Sequence, residues 1–351
     1  MRKPRLFSVL AAGLAAAISL NGHAAQKDSF NVCWTIYAGW MPWEYGATQG
    51  IVDKWAKKYG IDIEVTQLND YVESINQYSA GQFDGCTMTN MDALTIPAAG
   101  GVDSTALIVG DFSNGNDGIV LKGEKKTLGD LKGQNVNLVE LSVSHYLLAR
   151  GLEKAGLAER DLKVVNTSDA DMVAAFATPD VTAVTTWNPL LAEIEATPGV
   201  TKVFDSSQIP GEIIDLMVVN SDTLKDNPAL GKALTGAWYE IMATMQADKA
   251  AREHMAKASG TDLAGYEAQL AATKMFYTAK EAVAFANSPR LPETMAKVAA
   301  FSFEHGLLGE GAQSADAIGM AFANDVVTGD KGNVKLRFDP TYMQMAADGQ
   351  L

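Results

Sequence analysis

Residues 30–68 read FNVCWTIYAGWMPWEYGATQGIVDKWAKKYGIDIEVTQL and alternate between two hydrophobic periods. The stretch begins with an apolar, β-branched run at 30–37, which predicts a buried strand. Apolar residues then recur at every fourth position, the spacing of an amphipathic helix, at Ala47, Ile51, Trp55 and Tyr59. Gly60 predicts the end of that helix, and 61–68 predicts a second strand. A strand, a helix and a strand in this order predict a right-handed βαβ unit with parallel strands.

The same alternation continues along the chain and then starts again. A helical pattern at 70–82 and an apolar run at 83–90 complete the first set of elements. A second set of strands and helices begins with the runs at 117–122 and 134–139. The repeat indicates two α/β units rather than one long sheet.

The predicted fold is therefore an α/β protein with two lobes and a helical C-terminal tail. We expect lobe 1 to comprise residues 26–112 and 216–351, with the tail helical to about Gly306, and lobe 2 to comprise 113–215. Two chain crossings would form a hinge, and a ligand would bind in the cleft between the lobes.

The amino terminus has the layout of a secretory signal peptide at residues 1–25. A basic start precedes an apolar run from Leu6 to Leu20, and small residues follow it, so we expect cleavage after Ala24 or Ala25. The apolar run is shorter than the roughly 20 residues that a membrane-spanning helix needs. The sequence thus predicts an exported, periplasmic protein.

Net charge, cysteines and histidines indicate which kinds of partner and cofactor the sequence disfavours. The 351-residue chain carries a net charge of −14, which makes nucleic acid and anionic membrane surfaces poor partners. Export permits a disulfide between Cys33 and Cys86, but we expect two small buried side chains instead. Four scattered histidines show no metal-ligand spacing, so we expect neither metal nor cofactor.

In open parallel sheets the ligand lies at the carboxyl ends of the strands. Four segments occupy such positions: 37–44, 89–92, 140–145 and 185–189. With the acid in the run IIDLMVVN, they supply the candidate ligand-binding residues, which are Trp40, Trp43, Glu44, Asn90, Asp92, Glu140, His145, Trp187 and Asp215.

These segments are rich in acids and tryptophan and contain no Lys or Arg. Indole faces and carboxylates together favour a cation, and guanidinium is planar, weakly hydrated and rich in N–H donors. Ordinary structural roles remain open: Glu44 as a first-turn acid, Asp92 as a helix cap, Glu140 as a solvated acid and His145 as a packed or surface residue. The two nearby acids Asp111 and Asp117 lie close to the first expected crossing.

Several segments, in order, resemble the periplasmic solute-binding proteins of ABC importers. They are GWMPWEYG after the first strand, SAGQFDGCTMTN, TLGDLKGQNVNL, and AAFATPDVTAVTTWNPLL with its Trp-x-Pro sequence. The resemblance is to the group that serves nitrate, taurine, alkylsulfonates and thiamine-precursor pyrimidines. Within it, the tryptophan-rich and acidic content is most similar to a branch encoded beside urea carboxylase-type enzymes and linked to urea or guanidine.

The resemblance implies a type II periplasmic-binding-protein fold with no catalysis. It also implies a monomer that delivers its ligand to an ABC permease in the inner membrane. Two alternatives stay open. One is a binding protein for nitrate, taurine or another sulfonate. The other is an enzyme, because the same fold serves a pyrimidine synthase. That enzyme is intracellular and uses a cysteine-rich stretch that is not found here.

Overall fold

The computed structural model describes residues 27–351, which form two α/β lobes joined by two chain crossings. The two-lobe fold class predicted from the sequence is confirmed, whereas the lobe boundaries stay predictions. The expected signal peptide at 1–25 lies outside the described residues. Within 27–351, every helix is too short or too polar to cross a membrane.

Lobe 1 begins with strands and helices in alternation. Its first elements are β1 (Ser29–Trp34), α1 (Met41–Thr48), α2 (Ile51–Lys58), β2 (Asp62–Gln67), α3 (Tyr71–Ser79), β3 (Gly85–Thr89), α4 (Asn90–Ala93) and β4 (Ser104–Ser113). The prediction of a single helix after the first strand was wrong, because this segment forms two helices, α1 and α2. Gly50 separates them with a φ of +71°, a left-handed conformation that glycine adopts readily.

Lobe 2 follows the first crossing and has its own sheet. Its elements are β5 (Asp117–Lys122), β6 (Asn135–Leu138), α5 (Val143–Ala155), β7 (Lys163–Asn166), α6 (Asp169–Ala177), β8 (Ala183–Trp187), α7 (Leu190–Glu195) and β9 (Val200–Asp205). Among the described residues this sheet has five strands, in the order β7-β6-β8-β5-β9.

The chain then returns to lobe 1, and a mainly helical segment packs around the first sheet. The remaining elements are β10 (Ile214–Asn220), α8 (Ser221–Asp226), α9 (Pro228–Ala247), α10 (Lys249–Ala258), α11 (Leu263–Ala271), β11 (Thr273–Met275), α12 (Ala279–Ala286), α13 (Arg290–Glu304), β12 (Gly319–Ala321), β13 (Val327–Thr328), β14 (Val334–Phe338) and α14 (Thr341–Ala347).

The sheet of lobe 1 has mixed strand directions. Within residues 27–351 its order is β13-β12-β14-β4-β10-β3-β1-β2, and β11 pairs with β4. β1 lies parallel to β2 and β3, as the sequence predicts. β10 is antiparallel to both β3 and β4, because the chain re-enters the sheet from the other lobe. This return places the carboxyl end of β3 beside the start of β10, at the edge that faces lobe 2.

Cys33 and Cys86 form a disulfide, so the expectation of two unbridged cysteines was wrong. They occupy directly opposed positions on β1 and β3, with Cα atoms 4.4 Å apart. Both are fully buried in the core of lobe 1. The sequence placed each cysteine on a strand but did not give the strand register, which is what brings the two sulfur atoms together.

Candidate functional site

A small cavity lies between the two lobes. It contains about 270 Å³ free of protein atoms. Such a space accepts a molecule of only a few non-hydrogen atoms. Lobe 2 supplies Asp117, Val143 and Trp187, and the rest of the lining consists of Tyr37, Trp40, Tyr71, Thr89, Ile213 and Asp215.

Four aromatic rings form a continuous wall around this cavity. Trp40 contacts Tyr37 edge-on at 5.1 Å and stacks on Tyr71 at 5.8 Å between ring centroids. Tyr71 in turn meets Trp187 of lobe 2 edge-on at 5.5 Å. The Trp40 Nε1–H is buried and has no hydrogen-bond partner among the described residues, so a donor remains available to a ligand.

Strand pairing in each lobe places carboxylates beside the cavity. Asp215 on β10 lies directly opposite Asp111 on β4, and Thr89 on β3 lies on its other side. In lobe 2, Asp117 at the start of β5 lies directly opposite Trp187 at the end of β8. Opposed residues of a ladder project from the same face of the sheet, so both lobes present an acid to the cavity.

The acids are buried, and burial raises their pKa values. It raises the pKa of Asp117 to about 7, although a hydrogen bond from Ser113 partly lowers it. Burial raises the pKa of both Asp111 and Asp215, and the charge of Asp111 raises the pKa of Asp215 further, because the two lie directly opposite each other on β4 and β10. Of the nine residues that line the cavity, none is Lys, Arg or His. The site therefore has negative or protonated acids and no built-in positive charge.

Gly39 allows the loop after β1 to pass directly over Asp111. A Cβ at Gly39 would stand 2.5 Å from Asp111 Oδ2 and 2.7 Å from the ring of Tyr37. A larger residue would therefore displace the acid or the aromatic wall. The glycine in the segment YAGW is required by this close approach of backbone to carboxylate.

Asp92 and Asn90 support the cavity from behind. Asp92 Oδ2 accepts hydrogen bonds from the hydroxyls of Tyr71 at 2.6 Å and Thr89 at 2.8 Å. Burial raises the pKa of Asp92 to about 6, and these hydrogen bonds limit the rise. Asn90 donates to the Glu212 carbonyl and accepts from the Ile214 N–H at 2.9 Å. Both residues thus fix the positions of lining residues.

A buried amide at the first crossing connects the two lobes. The side-chain N–H groups of Asn116 donate to the hydroxyls of Tyr37, at 3.3 Å, and Thr273. Its side-chain oxygen accepts from Asn188, the neighbour of Trp187. All four residues of this network are nearly inaccessible to solvent. The network holds aromatic lining residues of both lobes in one arrangement.

More than half of the chain matches a known protein family. Residues 47–252 match the model described as NMT1/THI5 like. The chain belongs to the NMT1/THI5 like family. A protein of Brucella abortus, named only as a binding protein, is 25% identical over 181 residues, which are 51% of this chain and 56% of that protein. A protein of Escherichia coli, named as an aliphatic sulfonates-binding protein, is 36% identical over 84 residues, 24% of this chain and 26% of that protein. The chain spans about half the length, or less, of these curated relatives.

Solved structures of binding proteins share the fold of this NMT1/THI5 like chain. The alkanesulfonate-binding protein SsuA of Xanthomonas axonopodis, bound to MOPS, has a TM-score of 0.66 at 17% identity, covering 84% of this chain and 99% of that one. The periplasmic nitrate-binding protein NrtA of Synechocystis has a TM-score of 0.57 at 13% identity, covering 93% and 99%. These relatives and neighbours are named as binding proteins, not as enzymes.

In this NMT1/THI5 like chain, four of the nine residues chosen from the sequence lie away from the cavity. Trp43 is buried against Trp238, with ring centroids 5.1 Å apart. Glu44 pairs with His254, its Oε2 lying 3.0 Å from Nε2 at the surface. Glu140 is exposed. The fourth residue away from the cavity is His145. By contrast, Trp40, Trp187 and Asp215 line the cavity.

His145 belongs to a separate cluster with Glu159 and His305. Glu159 Oε2 lies 3.3 Å from the Nε2 of His145 and 2.8 Å from the Nε2 of His305. The three ligand atoms lie within 4.8 Å of one another, as in a metal site. However, His145 Nδ1 accepts the Leu141 N–H at 3.1 Å, which puts the hydrogen of neutral His145 on Nε2. Neutral His145 therefore has no free lone pair on Nε2 to offer a metal ion.

Sequence reasoning omitted several lining residues. Tyr37 lies inside the chosen segment 37–44 and Tyr71 begins α3, but neither was chosen as a candidate, and both line the cavity. Asp117 was noticed near the crossing but not chosen. The missing signal is the pairing of Asp117 with Trp187, because the sequence gives no register for antiparallel β5 and β8.

Proposed function

We propose that this protein is the solute-binding component of an ABC import system and that it is exported to the periplasm. It captures guanidinium, or the neutral analogue urea, between its two lobes and delivers it to an inner-membrane permease. The solved relatives share its fold, but their ligands are stated only for those proteins, so the ligand is inferred here from the cavity.

The single observation that carries the proposal is the sign of the charge around the cavity. Asp117 and Asp215 line it, Asp111 lies behind Asp215, and none of the nine lining residues is a base. An anion about 4 Å from any one of these carboxyls in its ionised form is repelled by about 4 kcal/mol at the effective dielectric constant of a protein site. A nitrate or sulfonate would meet this repulsion, whereas a cation would replace it by attraction.

Shape and chemistry point to the same class of ligand. The aromatic wall offers flat faces to a planar molecule, and an indole attracts a cation by about 0.5 to 2 kcal/mol. Carboxylates from opposite lobes accept N–H groups from opposite edges of that molecule. Contacts to both lobes favour the closed form, so binding shifts the opening equilibrium towards closure.

A second candidate is an alkylsulfonate. Its support is the segment that is 36% identical over 84 residues to the Escherichia coli protein named for aliphatic sulfonates. The small size of the cavity disfavours long sulfonates, so taurine is the appropriate representative.

Parallel calorimetric titrations of the mature protein with guanidinium, urea, nitrate and taurine test the proposal. We expect saturable binding of guanidinium, and its loss in Asp215→Asn. The matched control is Glu44→Gln, which removes an acid outside the cavity and leaves binding unchanged. Binding of nitrate or taurine that survives Asp215→Asn would refute the proposal.

A further inference from the structure

The acid pair Asp111 and Asp215 is built to hold one proton. The two residues are directly opposed on β4 and β10 and are at most 3% exposed. Two ionised carboxylates in such positions would repel each other, so a buried pair without a counter-charge keeps a proton on one of its members. The Oδ2 atom of each has no hydrogen-bond partner among the described residues, which leaves an acceptor on each side for that proton. Only Asp215 lines the cavity, whereas Asp111 stands behind it.

The groups that face this pair do not supply a positive charge in its place. They are Tyr37 after β1, Asp117 of β5, Tyr266 of α11 and Tyr277 after β11. Each is an acid or a phenol. The Tyr37 hydroxyl donates to Asp111 Oδ1 at 3.4 Å, which fixes one oxygen of Asp111 but adds no charge.

We propose that Asp111 is a positioning residue that sets the charge specificity of the site, by sharing a proton with Asp215 in the empty cavity and letting a cation displace it. In this step the O–H bond of the shared carboxyl breaks, the proton leaves to solvent, and the electron pair stays on the carboxylate. One positive charge enters and one leaves, so the buried charge is unchanged. This inference rests on the proposed function and adds how the site distinguishes a cation from a neutral ligand.

Urea and guanidinium would then differ in the number of protons released on binding. Urea brings no charge, so the shared proton stays, and the affinity for urea is independent of pH once Asp117 is ionised, above about pH 7. Guanidinium remains charged at neutral pH and must displace the proton. Its dissociation constant therefore falls about tenfold for each unit of pH rise while the pair is protonated.

The test counts protons in calorimetric titrations with guanidinium at pH 8, in buffers of different ionisation enthalpy. At that pH Asp117, whose pKa burial raises to about 7, has mostly lost its own proton. We expect release of about one proton per guanidinium bound by the wild type. In Asp111→Asn the pair has no shareable proton, so release falls by about one and the pH profile flattens. Asp117→Asn binds more weakly but keeps the release. Asp84→Asn is the matched control, because Asp84 is a buried acid paired with Lys27 away from the cavity.

A spectroscopic measurement of the ligand-free protein gives a second readout. Infrared titration is expected to show a protonated carboxyl band at pH 8, above the pKa of Asp117, that is lost in Asp111→Asn and on adding guanidinium. Binding of guanidinium without proton release would overturn this inference and leave the proposed function standing. Release abolished by Asp117→Asn but retained by Asp111→Asn would assign the proton to Asp117 and also overturn it. Absence of guanidinium binding would overturn both proposals.

Discussion

Replacing Asp117 by Asn is expected to make the ligand-free protein more stable at pH 8 but not at pH 4.5. Burial raises the pKa of Asp117 from 3.8 to about 7, so between these values the folded protein holds a proton that the unfolded chain has lost. Because the folded state binds more protons, its stability falls as the pH rises from about 4 to about 7 and is constant above that. A difference of about 3 pH units corresponds to about 4 kcal/mol.

The asparagine side chain of the Asp117→Asn variant is neutral at every pH, so the variant does not incur this loss. At pH 4.5 protonated Asp and Asn are similar in shape and hydrogen bonding, and the two proteins should unfold within about 1 kcal/mol of each other. At pH 8 the variant should gain up to about 4 kcal/mol, a rise of several degrees in Tm for a chain of this size.

Differential scanning calorimetry at the two pH values measures this effect. Chemical denaturation is unsuitable, because guanidinium and urea are themselves the proposed ligands. Asp84→Asn serves as the control, since it removes the carboxylate that Lys27 Nζ and the Asn31 N–H contact at 2.5 and 2.9 Å and should lower Tm. An Asp117→Asn variant that is no more stable than wild type at pH 8 would show that Asp117 is ionised and well solvated in the empty protein.

Three further outcomes follow from the site and the core. Guanidinium chloride at about 100 times its dissociation constant should add about 2.7 kcal/mol of stability and raise Tm, whereas equal sodium chloride should not. Trp187→Ala should weaken guanidinium binding by roughly 2- to 30-fold in calorimetry, the range expected from one cation–indole contact, while Trp55→Ala outside the cavity leaves it unchanged. A double variant, Cys33→Ala with Cys86→Ala, should lose roughly 2 to 4 kcal/mol of unfolding free energy in calorimetry and keep its affinity for guanidinium; a loss of affinity would show that the bridge shapes the cavity.

The sequence was sufficient to predict the fold class because its two hydrophobic periods are strong. Alternation of strand and helix patterns in two sets predicts two sheets, and this is what the protein has. Pairing between distant segments was not predictable. The antiparallel insertion of β10 between β3 and β4 depends on where the chain returns from lobe 2, and no local pattern records that return.

The same limit explains which site residues the sequence indicates. Trp40 and Trp187 follow strand ends and line the cavity. Trp43 lies three residues beyond Trp40 but packs on Trp238 in the core, whereas Trp40 precedes the helix as its N-cap residue. Glu44 pairs with His254 at the surface. A segment can thus be chosen correctly although its individual side chains point in different directions.

The start of α5 shows how a fold shared with proteins named for anions can favour a cation. Val143, the first residue of this 13-residue helix, lines the cavity, and a helix amino terminus carries partial positive charge that favours anions. In this chain the backbone N–H of Val143 favours the ionised form of Asp92 and so lowers the pKa of that buried carboxyl. The carboxyl also accepts the hydroxyls of Tyr71 and Thr89. An acid of the protein therefore lies near this helix terminus, where an anionic ligand would compete with it. Under the proposed function, the remaining acids of the cavity stay without a counter-charge until a cation enters.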